Sequence, residues 1–371
     1  MERKNTWLSY TEEDIEKLES LASDYKEYLT GGKTERECVK ESVKLAQRAG
    51  YEDLEHFIAE NKQLKPGDKV YRTWMDKTIV LFQIGEKPME DGLNILGAHI
   101  DSPRMDLKQN PLYEDTEMVL LDTHYYGGVK KYQWVTLPLA LHGVVIKKDG
   151  TTIEISIGEK DTDPVVGVTD LLIHLSAQQL EKKAKVVIEG EDLNVLIGSR
   201  PVKGEEKDAV KKEMLRILEE EYGIEEEDFL SAEIEVVPAG PARDFGLDRS
   251  MIMSYGQDDR VCAYTSLAAM LNVQDARRTT CCILVDKEEI GSVGATGMHS
   301  RFFENTLAEI IALTGEYSEL RLRRILQNSH MLSSDVSAAF DPNYPQVMEK
   351  KNAAYFGKGL VLNKYTGARG K

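Results

Sequence analysis

Apolar and polar positions fall into two textures along the chain. Residues 11–49 carry helical spacing: Thr11 precedes the first stretch, "TGG" at 30–32 ends it, Thr34 with Glu37 forms a capping-box pattern for the second, and Gly50 stops it. "LKPGDK" is a turn, and "VYRTWMDKTIVLFQI" predicts a hairpin. "LNILGAHIDSP" is an apolar strand that runs into a polar cluster. From about 104 to 248 short β-like runs dominate: "MVLLDTHYYGG", "WVTLPLALHGVVIKKDG", "TTIEISIG", "KVVIEG" and "AEIEVVPAG". One charged helix, "KGEEKDAVKKEMLRILEEEYG", interrupts them. After 249 the α/β texture returns: helix "VCAYTSLAAML", strand "TTCCILV", a helix over "NTLAEIIALTGEYSELRLRRILQNS" and a strand end at "HMLSSDV". The pattern predicts an α/β domain, residues 1–103 plus 249–371, interrupted by a β-rich insert at 104–248.

Composition narrows the function class. The 371 residues carry a net charge of −17, and an acidic chain lacks the basic footprint that nucleic-acid binding needs. No apolar run approaches the length of a membrane span, and the first residues hold no signal-peptide core. Cys38, Cys262, Cys281 and Cys282 fit no metal or redox spacing. Neighbouring strand residues point to opposite faces, so Cys281 and Cys282 should not pair, and reduced thiols predict a cytoplasmic protein.

Candidate chemistry sits at or beside the predicted strand exits: His99 and Asp101 in "GAHIDSP", Asp258 and Asp259 in "GQDDR", Glu288 and Glu289 in "DKEEIGS", Asp335 in "SSDVS". In open α/β sheets ligands bind at the carboxyl ends of strands, so these segments can meet in one crevice. Taken singly, each has a plainer reading: a structural histidine, a helix N-cap, a solvated loop, a turn residue. Taken together, an imidazole with several carboxylates suits zinc, manganese or cobalt, and a carboxylate bridging two ions is a common hydrolytic design. No G-x-G-x-x-G or P-loop pattern stands at a strand–helix junction, which disfavours nucleotide binding.

"GAHIDSPR", "YYGGV", "LLIHL", "GQDDR", "DKEEIGSVGA" and "SSDVSAAFDPNYP", in that order, resemble the aspartyl aminopeptidase family of co-catalytic zinc exopeptidases. The resemblance implies a zinc-peptidase-like α/β/α sandwich carrying the β-rich insert. It implies a cytoplasmic enzyme that removes N-terminal residues, Asp or Glu by the family name, with two zinc ions per subunit. His99 would bind one zinc, Asp258 would bridge both, Glu289 would bind one and Asp335 the other. Glu288 would be the general base, and Asp101 would orient the His99 ring. His174 in "LLIHL" would reach a neighbouring subunit's active site, in a homo-oligomer built from dimers into a dodecamer. A non-proline cis peptide bond is implied between Asp258 and Asp259. The family's acidic-residue pocket needs a cation, for which Lys358 and Lys364 in "GKGLVLNKYTG" are the candidates.

The chain departs from the family pattern in one respect. A fifth metal ligand is expected from a Met-His-Ser context near the C-terminus, yet no histidine follows His330. "MHS" at 298–300 comes directly after the "KEEIGS" motif, the wrong place. The expectation is a chain shorter than the family's, impaired by itself, with sheet edge left uncovered. Two other readings remain: a two-metal hydrolase of another N-terminal specificity, and a non-catalytic assembly subunit.

Overall fold

The computed structural model describes residues 3–364. The C-terminal residues 365–371, with the end of "GKGLVLNKYTG", lie outside the described residues.

The chain begins with α1 (Glu12–Gly31) and α2 (Glu35–Arg48), each opened by a complete capping box, Thr11 with Asp14 and Thr34 with Glu37. There follow β1 (Glu52–Asp53), α3 (Leu54–Glu60), β2 (Lys69–Trp74), β3 (Thr78–Gln83) and β4 (Asn94–His99). The middle of the chain supplies β5 (Arg104–Asp115), β6 (Met118–Tyr126), β7 (Leu139–Ile146), β8 (Thr152–Ile157), the short α4 (Ala177–Leu180), β9 (Val195–Gly198), α5 (Ala209–Tyr222) and β10 (Glu233–Pro238). A small hairpin, β11 (Arg243–Phe245) with β12 (Met251–Met253), leads to α6 (Gln257–Leu271), β13 (Thr280–Val285), α7 (Phe302–Thr314), α8 (Glu319–Asn328) and β14 (His330–Ser333).

The first sheet has the order β1-β2-β3-β13-β4-β14, with β13, β4 and β14 mutually parallel. Burial on both faces explains the near-continuous apolar runs of β3 and β13, while the edge strand β14 is exposed along its length. On β3, Ile79 and Leu81 pack with α1, α2 and α6, while Val80 and Phe82 pack with α3, α7 and α8. Cys281 and Cys282 divide between the same two layers, and all four cysteines are free.

The second sheet, β8-β7-β10-β5-β6-β9, is built wholly from residues between 104 and 238 and every pair in it is antiparallel. Three details differ from the sequence reading. β5 is a strand despite its polar, proline-bearing sequence, because a register shift between Leu107 and Leu112 absorbs Lys108–Pro111 as a bulge. "KVVIEG" is not a strand: Ile188 and Val187 face the second core from an irregular segment that starts with a 3₁₀ turn at Ala184–Val186. The predicted helix at 305–329 is two helices, since Ser318 caps α8 by accepting from Arg321 N at 3.2 Å.

Buried charges stitch the second sheet to α2. His142 on β7 has Nδ1 2.8 Å from Glu37 Oε1 and Nε2 3.1 Å from Glu159 Oε1, with Lys33 Nζ 3.7 Å from the same Glu159 oxygen. Burial opposes the charged ring, but the two carboxylates outweigh it and lift His142 to about 9. Its ordinary value is near 6.5, so this contact stabilises fully below about pH 6.5 and is lost as pH rises through about 9. Denaturant midpoints should fall across that window in the wild type. In His142→Gln the fall should be absent or much smaller.

Candidate active site

The parallel strands β4, β13 and β14 all deliver their C-terminal ends to one edge of the first sheet. His99 is the last residue of β4 and the register partner of Val285, the last of β13, so "HID" and "DKEE" leave the sheet side by side. Asp335 follows β14, and α6 brings Asp258 and Asp259 at its first turn. Non-helical backbone at Asp258 and Asp259, joined by a cis peptide bond, sends the two neighbouring carboxylates apart. Ser102 donates to the Asp258 carbonyl at 2.7 Å, tying this turn to the strand exit. Arg260, wholly buried, donates from Nε to Ile100 O at 3.1 Å and from a terminal nitrogen to Lys33 O at 3.0 Å.

Two groups of potential ligand atoms result, each with all members within 4.8 Å of one another: His99, Asp258 and Glu289, and His99, Asp259 and Asp335. Asp259, read from the sequence as a spare acid beside Asp258, is the member that meets Asp335; its adjacency in "DDR" was the only signal. Neither oxygen of buried Asp259 has a hydrogen bond of good geometry, and only weak contacts from the Cys262 thiol and the His99 backbone favour its charge, an arrangement that a bound cation would satisfy. An imidazole with hard carboxylates is a donor set that zinc, manganese and cobalt accept.

His99 is held from behind. Its Nδ1 lies 3.0 Å from the Asp101 carbonyl oxygen and 3.3 Å from Asp101 Oδ1, which leaves Nε2 facing Asp258 Oδ1 at 3.4 Å and Glu288 Oε2 at 3.8 Å. Asp101, fully buried, also accepts from the backbone N–H groups of Glu288 and Glu289, both at 3.2 Å. The backbone reverses here, with Lys287, Gly291 and Ser292 all at positive φ around the short 3₁₀ turn Glu288–Ile290.

The electrostatics are those of crowded acids. Burial, then the charge on Asp258, raises Glu289 to about 7. Burial raises Asp259 to about 7 with Asp335 adding to it, while His99 opposes the shift. Burial likewise lifts Glu288 above the usual range. Burial alone would lower His99, but hydrogen bonds to Asp101 and Asp258 outweigh it and lift the ring to about 11. A cation relieves such repulsion, and strongly shifted groups gathered together are a mark of functional sites.

Gly127 of "YYGGV" has φ +72°, and a Cβ there would lie 3.2 Å from Glu289 Cβ and 3.3 Å from Glu289 Oε2, so a side chain would strain the backbone and press on that carboxylate. His174 stands elsewhere, on an exposed 3₁₀ turn at Ile173–Leu175 flanked by exposed Leu171 and Leu172, and it belongs to neither ligand group. His299 also belongs to neither group. Lys358 donates to Arg3 O at 2.7 Å.

A family profile described as aminopeptidase I zinc metalloprotease (M18) matches residues 28–371. The chain is similar over its whole length to a probable M18 family aminopeptidase 1 of Clostridium acetobutylicum, at 61% identity across 80% of that protein. Among solved structures, aminopeptidase I from Clostridium acetobutylicum aligns with TM-score 0.90 at 60% identity, covering 100% of this chain and 80% of the other. The M18 aminopeptidase of Thermotoga maritima aligns with TM-score 0.94 at 46% identity over the same shares.

Proposed function

The chain belongs to the M18 family of aminopeptidase I zinc metalloproteases, enzymes that remove N-terminal residues from peptides, and from that premise we propose how its own residues do so. The observation that carries the reading is the meeting of His99 with four carboxylates in two overlapping groups. In this reading Asp258, Asp259, Glu289 and Asp335, with Nε2 of His99, hold two zinc ions. Zinc held there would supply polarisation of the scissile carbonyl and acidification of the attacking water.

Glu288 is the general base. Its Oε2 stands 3.8 Å from His99 Nε2, at the rim of the ligand groups but outside them, and its side chain is half exposed, so water and peptide can reach it. It takes the proton from the attacking water and hands it to the leaving amine. Asp101 holds the imidazole with Nδ1 protonated and Nε2 free to ligate. The segment 104–248 forms a second domain that assembles the protein into a homo-oligomer. The exposed apolar residues around His174 support a subunit contact there, through which His174 reaches a neighbour's site.

A preference for Asp or Glu as first residue needs a cation facing the site, and Lys358 is engaged with Arg3. The geometry therefore supports the aminopeptidase reaction more directly than the acidic preference. Rates on aspartyl, glutamyl, leucyl and lysyl substrates, measured with metal content, test both. Cleavage that tracks zinc loading is expected. Loading without cleavage of any substrate removes the catalytic reading, and leucyl rates above aspartyl remove only the acidic preference.

A further inference from the structure

Asp101 is the hub of the site, and one of its partners comes from the other sheet. Its Oδ1 faces His99 Nδ1 at 3.3 Å and accepts from Glu288 N at 3.2 Å. Its Oδ2 accepts from Glu289 N at 3.2 Å and from the Tyr126 hydroxyl at 2.6 Å. A single carboxylate thus touches the imidazole and both backbone N–H groups of the glutamate turn. Tyr126, the last residue of β6, makes the shortest of these contacts.

Tyr126 is itself fixed. It is buried and is the register partner of Arg104 on β5. The Arg104 guanidinium lies 4.0 Å from the centre of its ring and Lys287 Nζ 5.3 Å from it, distances at which a cation is attracted to an aromatic face. Arg104 is buried and paired with Glu235 at 3.1 Å, Asp106 at 2.8 Å and Glu35 at 3.4 Å, and Glu35 also pairs with Lys77 at 2.9 Å. Those acids and bases come from α2, the β2–β3 turn, β5 and β10, so the ring is anchored in the ion cluster that joins the two sheets.

We propose that Tyr126 is a positioning residue for the peptidase site: its hydroxyl fixes the rotation of the Asp101 carboxylate, and through it the His99 ring and the Glu288–Glu289 turn. The hydroxyl contributes a donor without adding charge to a site crowded with acids. Without it, Oδ2 keeps one protein partner and the carboxylate can turn away from Nδ1. The inference rests on the metal-site reading above.

The test is Tyr126→Phe, which removes the hydroxyl and keeps the ring between its cations, with Tyr125→Phe as control. Tyr125 is 43% exposed, on the opposite face of β6. Zinc affinity, measured by competition with a chromogenic chelator, should weaken about 10–100-fold in Tyr126→Phe and not in the control. The absorption spectrum of the cobalt-loaded protein should shift, and kcat should fall with KM within about twofold. The thermal midpoint of the metal-free protein should stay within about 5 °C of the wild type. Unchanged affinity and cobalt spectrum overturn the proposal, and so does a larger loss of midpoint, which would make the hydroxyl a folding contact. If the wild type takes up no zinc, the metal-site reading fails instead.

Discussion

Replacing Glu288 with glutamine lowers kcat by about 10²–10⁴-fold, the contribution of a positioned general base, while zinc content and thermal midpoint stay near wild type. The expectation follows from where Glu288 stands. Its side chain is half exposed, outside both ligand groups, yet its Oε2 is 3.8 Å from the ring nitrogen that faces them. Glutamine keeps the size and the backbone N–H that donates to Asp101, and loses only the ability to accept a proton. Burial raises the Glu288 carboxyl from its ordinary value, the direction that makes it a better proton acceptor. Steady-state rates on aminoacyl substrates, with metal content by mass spectrometry, check it. A variant that cleaves at the wild-type rate would return Glu288 to the status of a charged loop residue.

The contrast between Glu288 and Asp259 shows what the chain reveals before it folds. Glu288, Glu289 and His99 were legible because strand exits announce themselves: apolar runs end abruptly in acids, and β4 and β13 lie parallel and in register so that those ends meet. The helices α1, α2 and α6 were legible through caps and periodicity, whereas the stacking of helices in two layers was implied only by the family resemblance. Asp259 was not, because adjacent residues in a regular helix start would be treated alike, and only the non-helical backbone at Asp258 separates their directions. Tyr126 was hidden for another reason. Its partner Asp101 lies 25 residues away, just past the end of a strand of the first sheet, and nothing in "YYGGV" tells which tyrosine faces it. β5 escaped because a bulge breaks the alternation by which strands are recognised.

The second large effect is expected from His99→Gln. An imidazole nitrogen has one lone pair and serves one ion, so although His99 belongs to both groups, Nε2 completes one site, and carboxylates dominate the other. Structural zinc sites bind with about 10–16 kcal/mol over four ligands, or about 2.5–4 kcal/mol per ligand. At about 1.4 kcal/mol per decade, loss of the only imidazole in either group weakens its ion by about 10²–10³-fold. The four acids remain, so the second ion should persist while the first is lost at micromolar metal. On the proposed two-ion reading, activity should then fall by about 10³-fold or more, because two ions would no longer share water activation and carbonyl polarisation. Zinc stoichiometry is expected to drop from two towards one per chain, and the metal-free thermal midpoint should change little by comparison. Two ions retained at wild-type affinity would show that His99 is a core histidine and that the carboxylates alone hold the metals.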